Sequence, residues 1–151
     1  MDECIFCKIL RDEAEGYFIY RGNGIAVILD KYPVSKGHLL VITEKHYDAV
    51  QDADPRDALR AWAVASALAG IYRRELKAPG VNLVTNSGRP AGQVIFHFHI
   101  HVIPRWSYEY KGFWAGRHAL TEEEAADVLE LLKPYTGQID EYLEKTGLSS
   151  Q

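Results

Sequence analysis

The residues with the greatest chemical capacity in this sequence form the run His97-Phe98-His99-Ile100-His101-Val102-Ile103. Three of the chain's six histidines fall here, at alternate positions. In an extended strand alternate side chains share a face, about 6.6 Å apart. The spacing therefore predicts a row of imidazoles on one face, with Phe98, Ile100 and Val102 packing on the other. A single buried histidine is most simply a satisfied core residue. Core packing gains nothing from repeating a costly polar group three times on one face. Imidazole titrates near neutral pH, so it can attack an electrophile or accept or donate a proton. A second reactive pair, Cys4 and Cys7, is spaced as Cys-x-x-Cys ahead of any strand pattern. A redox motif more commonly follows a strand and opens a helix. Two cysteines are half of a closed zinc site, which needs four ligands. On the motif alone, metal ligands and two unremarkable small residues both stand.

These groups must be positioned by the rest of the chain. Residues 5–10 read as a short helix or turn with one apolar side. Residues 17–21 and 25–30 are strand-like and flank Gly22-Asn23-Gly24, which is turn chemistry, so the pair reads as a hairpin. Asp30 ends the second strand beside a loop over 31–37, and residues 38–43 form a third strand. Asp54-Pro55 caps and starts a long helix, which Pro79-Gly80 ends. Leu59, Trp62, Ala65, Ala69, Tyr72 and Leu76 recur at spacings of three and four, the stripe expected to pack on a sheet. Residues 81–86 form a fourth strand, and Gly88 and Gly92 in the following loop let backbone amides approach a ligand closely. The histidine run is the fifth strand, closed by Pro104-Arg105-Trp106. The next loop carries Tyr108, Tyr110, Phe113, Trp114, Arg117 and His118; its composition suits a substrate pocket or a subunit interface equally. Thr121-x-x-Glu124 is a capping box, followed by an Ala125, Val128, Leu129, Leu132 stripe and a last helix over 137–145. Glu122 to Glu124 is a first-turn charge favoured by the helix dipole.

The 151 residues suit one domain with a single core. A formal net charge of −4 argues against broad electrostatic binding of nucleic acid, though not against a local pocket for one nucleotide. No apolar run reaches the eighteen or so residues of a membrane helix. The acidic start, Met1-Asp2-Glu3-Cys4, lacks the layout of a signal peptide. A cytoplasmic protein is expected, in which the two cysteines are thiols or metal ligands and not a disulfide.

The run 97–103 is similar at all seven positions to the histidine-triad (HIT) pattern His-φ-His-φ-His-φ-φ, where φ is apolar. Gly37-His38 followed by four apolar residues is similar to the second signature of that family. The resemblance runs from Cys4 to about Arg105, which makes 1–105 the core family region of a single domain, 1–151, with residues 106–151 as aromatic loop and C-terminal helices. It implies an α+β, HIT-like fold: a five-stranded antiparallel sheet, the long helix packed on it, and a helical C-terminal segment. It implies hydrolysis or transfer at the α-phosphate of a purine nucleotide conjugate, either a nucleoside phosphoramidate or a dinucleoside polyphosphate. His99 would be the nucleophile and form a nucleotidyl-histidine, while His101 would donate to a phosphate oxygen or the leaving group. His38 would order the site. Cys4, Cys7, His46 and His97 would hold a structural zinc, in the manner of bacterial members, which gives His97 an orienting role.

The resemblance also implies that Asp30 accepts hydrogen bonds from ribose, that Asn86 contacts phosphate, and that Gly92 and Gln93 belong to the phosphate loop. Ile5 and Phe6 would touch the base or fill the core. Val94 departs from the pattern, where Ser or Thr commonly stands and handles the leaving group. A homodimer through the long helix and an edge strand is expected by resemblance. Three rival readings remain: a metal-dependent phosphohydrolase, a nucleotide-binding regulatory module with little turnover, and a thiol redox protein, the last disfavoured by the position of Cys4 and Cys7.

Overall fold

A computed structural model describes residues 4–150. Five strands, β1 (Phe18–Gly22), β2 (Ile25–Leu29), β3 (Leu39–Thr43), β4 (Gly80–Val84) and β5 (His99–Arg105), make one antiparallel sheet in the order β1-β2-β3-β5-β4. The helices are α1 (Ile5–Leu10), α2 (Pro55–Gly70), α3 (Glu122–Leu132) and α4 (Gly137–Lys145). The fold is α+β, as expected. Because α2 carries the chain past β5 before β4 forms, the histidine strand lies inside the sheet, paired on both sides.

Every residue of β2 and β3 is buried, so the sheet is covered on both faces. Alternation sorts the side chains. Val27, Leu29, Val41, Ile100 and Val102 join α2, α3 and α4 in the larger core. Ala26, Ile28, Leu40 and Ile42 join Phe6, Ile9 and Leu10 in a smaller one under α1. The register pairs Leu40 with His101 and Ile42 with His99, which sets both histidines on the α1 face.

Three expectations need correction. The histidine strand begins at His99 and not at His97, because the His97 side chain bonds the Thr43 carbonyl at the end of β3 (2.8 Å) and the ladder stops there. The long helix ends at Gly70 and widens into a π-helical turn over Ile71–Glu75, well before Pro79. Its packed face is Ala61, Val64, Ala65, Leu68 and Tyr72; of the expected stripe Ala65 and Tyr72 are in the core, Trp62 and Leu76 pack against it half-buried, and Leu59 is 57% exposed. The alanines let α2 lie close to the sheet, and close approach there outweighs burial of the bulkier side chains on the adjacent face. The caps of α2 and α3 form as expected: Asp54 accepts from Arg56 N, and Thr121 and Glu124 close a capping box. Among the described residues no helix is long and apolar enough to cross a membrane.

Candidate active site

Beneath α1 lies a cavity of about 630 Å³, within the roughly 300–1,000 Å³ usual for small-molecule sites. His99, His101, Asp30, Asn86, Ile5 and Phe6 are among the residues lining it. Strand β5 delivers the two histidines, with ring centroids 5.1 Å apart. Phe6 braces His99 edge-on at 5.2 Å.

Hydrogen-bond partners fix the protonation of each ring. His99 Nδ1 lies 2.6 Å from the His97 carbonyl oxygen. A carbonyl can only accept, so Nδ1 carries the hydrogen and Nε2 keeps its lone pair. Burial lowers the His99 pKa, with the His97 carbonyl bond working in the opposite direction. The ring is therefore neutral near pH 7, with Nε2 free to act as a nucleophile. A second chain of bonds fixes His101. The Val34 amide donates to His38 Nδ1 (3.1 Å), so the His38 hydrogen sits on Nε2. From there it reaches His101 Nδ1 at 3.0 Å, shared with Asp30 Oδ2 at 3.3 Å. His101 consequently carries its own hydrogen on Nε2, as a donor. Burial holds His38 at about 4, against the raising influence of Asp30, and holds His101 at about 3, so both rings are neutral. His38 is 1% exposed, bonds His101 and does not line the cavity.

The loop entering β5 is shaped by Gly88 (φ +93°) and Gly92 (φ +100°), which bracket one tight turn over Arg89–Ala91. A Cβ on Gly92 would meet Asn86 Nδ2 at 3.5 Å, so the glycine backbone lies against the Asn86 amide. Gln93 does not line the cavity. Its Oε1 accepts from Gly88 N (2.8 Å) and its Nε2 donates to the Asp48 carbonyl (2.6 Å), so the side chain braces the loop from behind. Asp30 is 5% exposed, and its Oδ1 accepts from Tyr32 N at 2.8 Å.

His97 stands apart from the cavity, fully buried, and faces Cys4, Cys7 and His46. Cys4 caps α1 by accepting from Cys7 N (3.4 Å), which brings both sulfurs to one side. Cys4 Sγ lies 3.3 Å and Cys7 Sγ 3.7 Å from His97 Nδ1, and Cys7 Sγ lies 3.4 Å from His46 Nδ1. A tetrahedral zinc site separates its S and N donors by about 3.6 Å. The tautomers suit this too. His97 Nε2 donates to Thr43 O, and His46 Nε2 donates to Asp48 Oδ1 at 3.0 Å, which leaves both Nδ1 lone pairs facing the sulfurs. Burial and the adjacent Cys4 thiol push the Cys7 pKa up, a conflict that a bound cation removes by stabilising both thiolates. The donor set fits a closed metal site.

Sequence reasoning named Trp114 only as one member of a loop suited equally to a pocket or an interface. Its ring packs on His101 at a centroid distance of 5.1 Å. Composition flagged the aromatic loop but carries no information on which surface it covers.

A model of the HIT domain matches residues 11–107 of this chain. A protein of Sulfolobus tokodaii named a hypothetical histidine triad nucleotide-binding protein superposes with a TM-score of 0.78 at 37% identity, covering 95% of this chain and 97% of that one. A zinc-bound histidine triad family protein of Mycobacterium smegmatis gives 0.74 at 29% identity, covering 96% and 98%. An Arabidopsis thaliana protein named adenylylsulfatase is 35% identical over 148 residues, 93% of this chain and 73% of that protein.

Proposed function

This chain belongs to the HIT family, and from that premise we propose that it hydrolyses nucleotide conjugates at the α-phosphate through a nucleotidyl intermediate on His99. The observation that carries the reading is the 2.6 Å bond from His99 Nδ1 to the His97 carbonyl, which leaves Nε2 with its lone pair in a cavity of nucleotide size. Nε2 bonds to the α-phosphorus as the bond to the leaving group breaks. Water then attacks the phosphorus, releases a nucleoside monophosphate and restores the neutral ring. His101 Nε2–H donates to a non-bridging oxygen, where negative charge builds. Asn86 and the amides near Gly92 bind the phosphate, Asp30 takes the ribose hydroxyls, and Ile5 and Phe6 flank the base. The names of the relatives support the class: one is named a hypothetical nucleotide-binding protein, and another an adenylylsulfatase.

The Cys4, Cys7, His46, His97 cluster would hold a structural zinc, which would tie α1 to the start of β5. Zinc bound there supplies cross-linking and takes no part at the phosphate. The exposed Leu59 on α2 and the open edge of β4 support a homodimer through those elements. A cytoplasmic location suits the free thiols. The test of the function is rapid quenching of a reaction with nucleotide labelled at the α-phosphate. An acid-labile, base-stable protein adduct is expected in the wild type and absent from His99→Gly, which should still bind nucleotide. Turnover at the wild-type rate by His99→Gly would end the proposal.

One rival has an observation of its own. Asp30, His38 and His101 offer ligand atoms within 4.8 Å of one another, a possible seat for a metal in a phosphohydrolase. Prompt loss of turnover on chelation, before any loss of fold, would favour it.

A further inference from the structure

Residues 106–120 form a loop laid across residues 30–36. Trp106 Nε1 donates to the Lys36 carbonyl (2.7 Å), His118 N to Pro33 O (3.2 Å) and Leu120 N to Lys31 O (2.8 Å). Gly116 (φ +89°) permits the closest approach, since a Cβ there would stand 3.2 Å from the Val34 carbonyl. The loop so anchored sets two side chains at the cavity rim. Trp114 packs on His101, and the Arg117 guanidinium stacks 5.5 Å over Trp114 with Nη2 3.6 Å from Asp30 Oδ2. Asp30 is nearly enclosed, whereas the Arg117 side chain remains 42% exposed and lines the cavity. Among the described lining residues the charged ones are Asp30, Lys31 and Arg117. Val94 lines the same cavity and has no group that can give a proton.

On the reading that the cavity takes a nucleotide at its α-phosphate, we propose that Arg117 selects the leaving group and favours conjugates that release an anion, such as a sulfate or a phosphate chain, over those that release an amine. The two classes make different demands. An amine must gain a proton as its bond to phosphorus breaks. A sulfate or phosphate leaves with the bonding pair on oxygen as a weak base, and needs a cation beside it more than a proton. Arg117 supplies a permanent charge with several donors in a planar fork, the geometry that suits such oxygens. A ribose hydroxyl donating to Asp30 takes the place of the guanidinium there and frees it for the departing anion.

The test compares kcat/KM for adenosine 5′-phosphosulfate and adenosine 5′-phosphoramidate in the wild type, Arg117→Gln, Arg117→Lys and Lys31→Gln. The ratio of the two values does not depend on how much of each preparation is folded. It should fall about 30-fold in Arg117→Gln, the loss of one hydrogen bond to a charged group, and recover in part in Arg117→Lys. Lys31→Gln should move it by less than about threefold, which separates a contact from a general field. A ratio unmoved in Arg117→Gln, or moved equally by Lys31→Gln, overturns the selectivity while leaving the hydrolase standing. A wild type that turns over neither compound overturns the hydrolase, and the selectivity with it.

Discussion

The bond chain from Val34 through His38 to His101 can be cut at either end by amides of different length. Asparagine at 38 carries an oxygen near the position of Nδ1, so His38→Asn keeps the bond from Val34 N, 3.1 Å in the native site. It cannot reach His101, whose Nδ1 stands 3.0 Å from the native Nε2. Glutamine does the reverse: its amide nitrogen can donate to His101, and the Val34 amide loses its partner. Each variant leaves one buried polar atom unsatisfied, so each should lose about 1–3 kcal/mol of stability. Catalysis should separate them. With no donor at Nδ1, His101 shifts its hydrogen to that nitrogen, toward Asp30 Oδ2 at 3.9 Å, and Nε2 ceases to donate to phosphate. A bias of about 1.4 kcal/mol between tautomers is tenfold in the active form, so kcat should fall at least about tenfold in His38→Asn and much less in His38→Gln. Urea melts would show matched stabilities, single-turnover kinetics would give the rates, and ¹⁵N shifts of His101 would report the tautomer. If His38→Asn turns over as fast as His38→Gln, the relay is not what orients the donor.

Other perturbations probe the frame. Elemental analysis should find one zinc per chain, and chelation should lower the melting temperature before it lowers activity at 25 °C; a metal-free protein with the same melting temperature would reject a structural metal. Burial holds His38 at about 4 and His101 at about 3, below the roughly 6.5 of an unfolded histidine, so the unfolded chain takes up protons first as pH falls. Their contribution to stability is complete above about pH 6.5 and drains away toward pH 4, so the urea midpoint should drop between pH 7.5 and pH 5, and an unchanged midpoint would contradict it. Gly37→Ala should cost about 1–3 kcal/mol, because φ is +92° there and the new Cβ would stand 2.6 Å from the hydroxyl oxygen of the fully buried Tyr72; a melt shifted by less than about 1 °C would refute this. Leu59→Glu should convert a dimer to monomers in sedimentation velocity, and a dimer of unchanged stability would move the interface elsewhere.

Much of this architecture was legible from local signals. The turn at Gly22-Asn23-Gly24, the Asp54 cap and the Thr121–Glu124 box are each written in a few adjacent residues, and all three form. The apolar members of the histidine run read as core, and Phe98, Ile100 and Val102 are buried. What failed needed partners distant in sequence. The α2 stripe was read from spacings of three and four, which place Ala65 and Tyr72 correctly in the core, yet the sheet also takes Ala61 and Val64 and turns Leu59 outward. Asp57 is buried because Tyr47, ten residues earlier and outside the helix, donates to it at 2.8 Å; its i,i+3 neighbour Arg60, at 3.6 Å, is the half of the arrangement that helical spacing shows. Gln93 sits beside a glycine where a phosphate ligand would, and only the positions of Gly88 and Asp48 reveal that its amide is occupied. Trp114 and Arg117 reach the site through a loop whose composition fits any aromatic surface.

His97 works with both ends of itself. Its ring turns toward two sulfurs, while its carbonyl accepts the Nδ1 hydrogen of His99 and leaves the Nε2 lone pair of that ring free. Any backbone could lend that oxygen, so the side chain is exchangeable in principle; its aim is not. Redesign that swapped the cysteines and imidazoles for a greasy plug would have to keep the main chain at 97 in register, or the ring of His99 would lose the bond that sets its tautomer without itself having been touched.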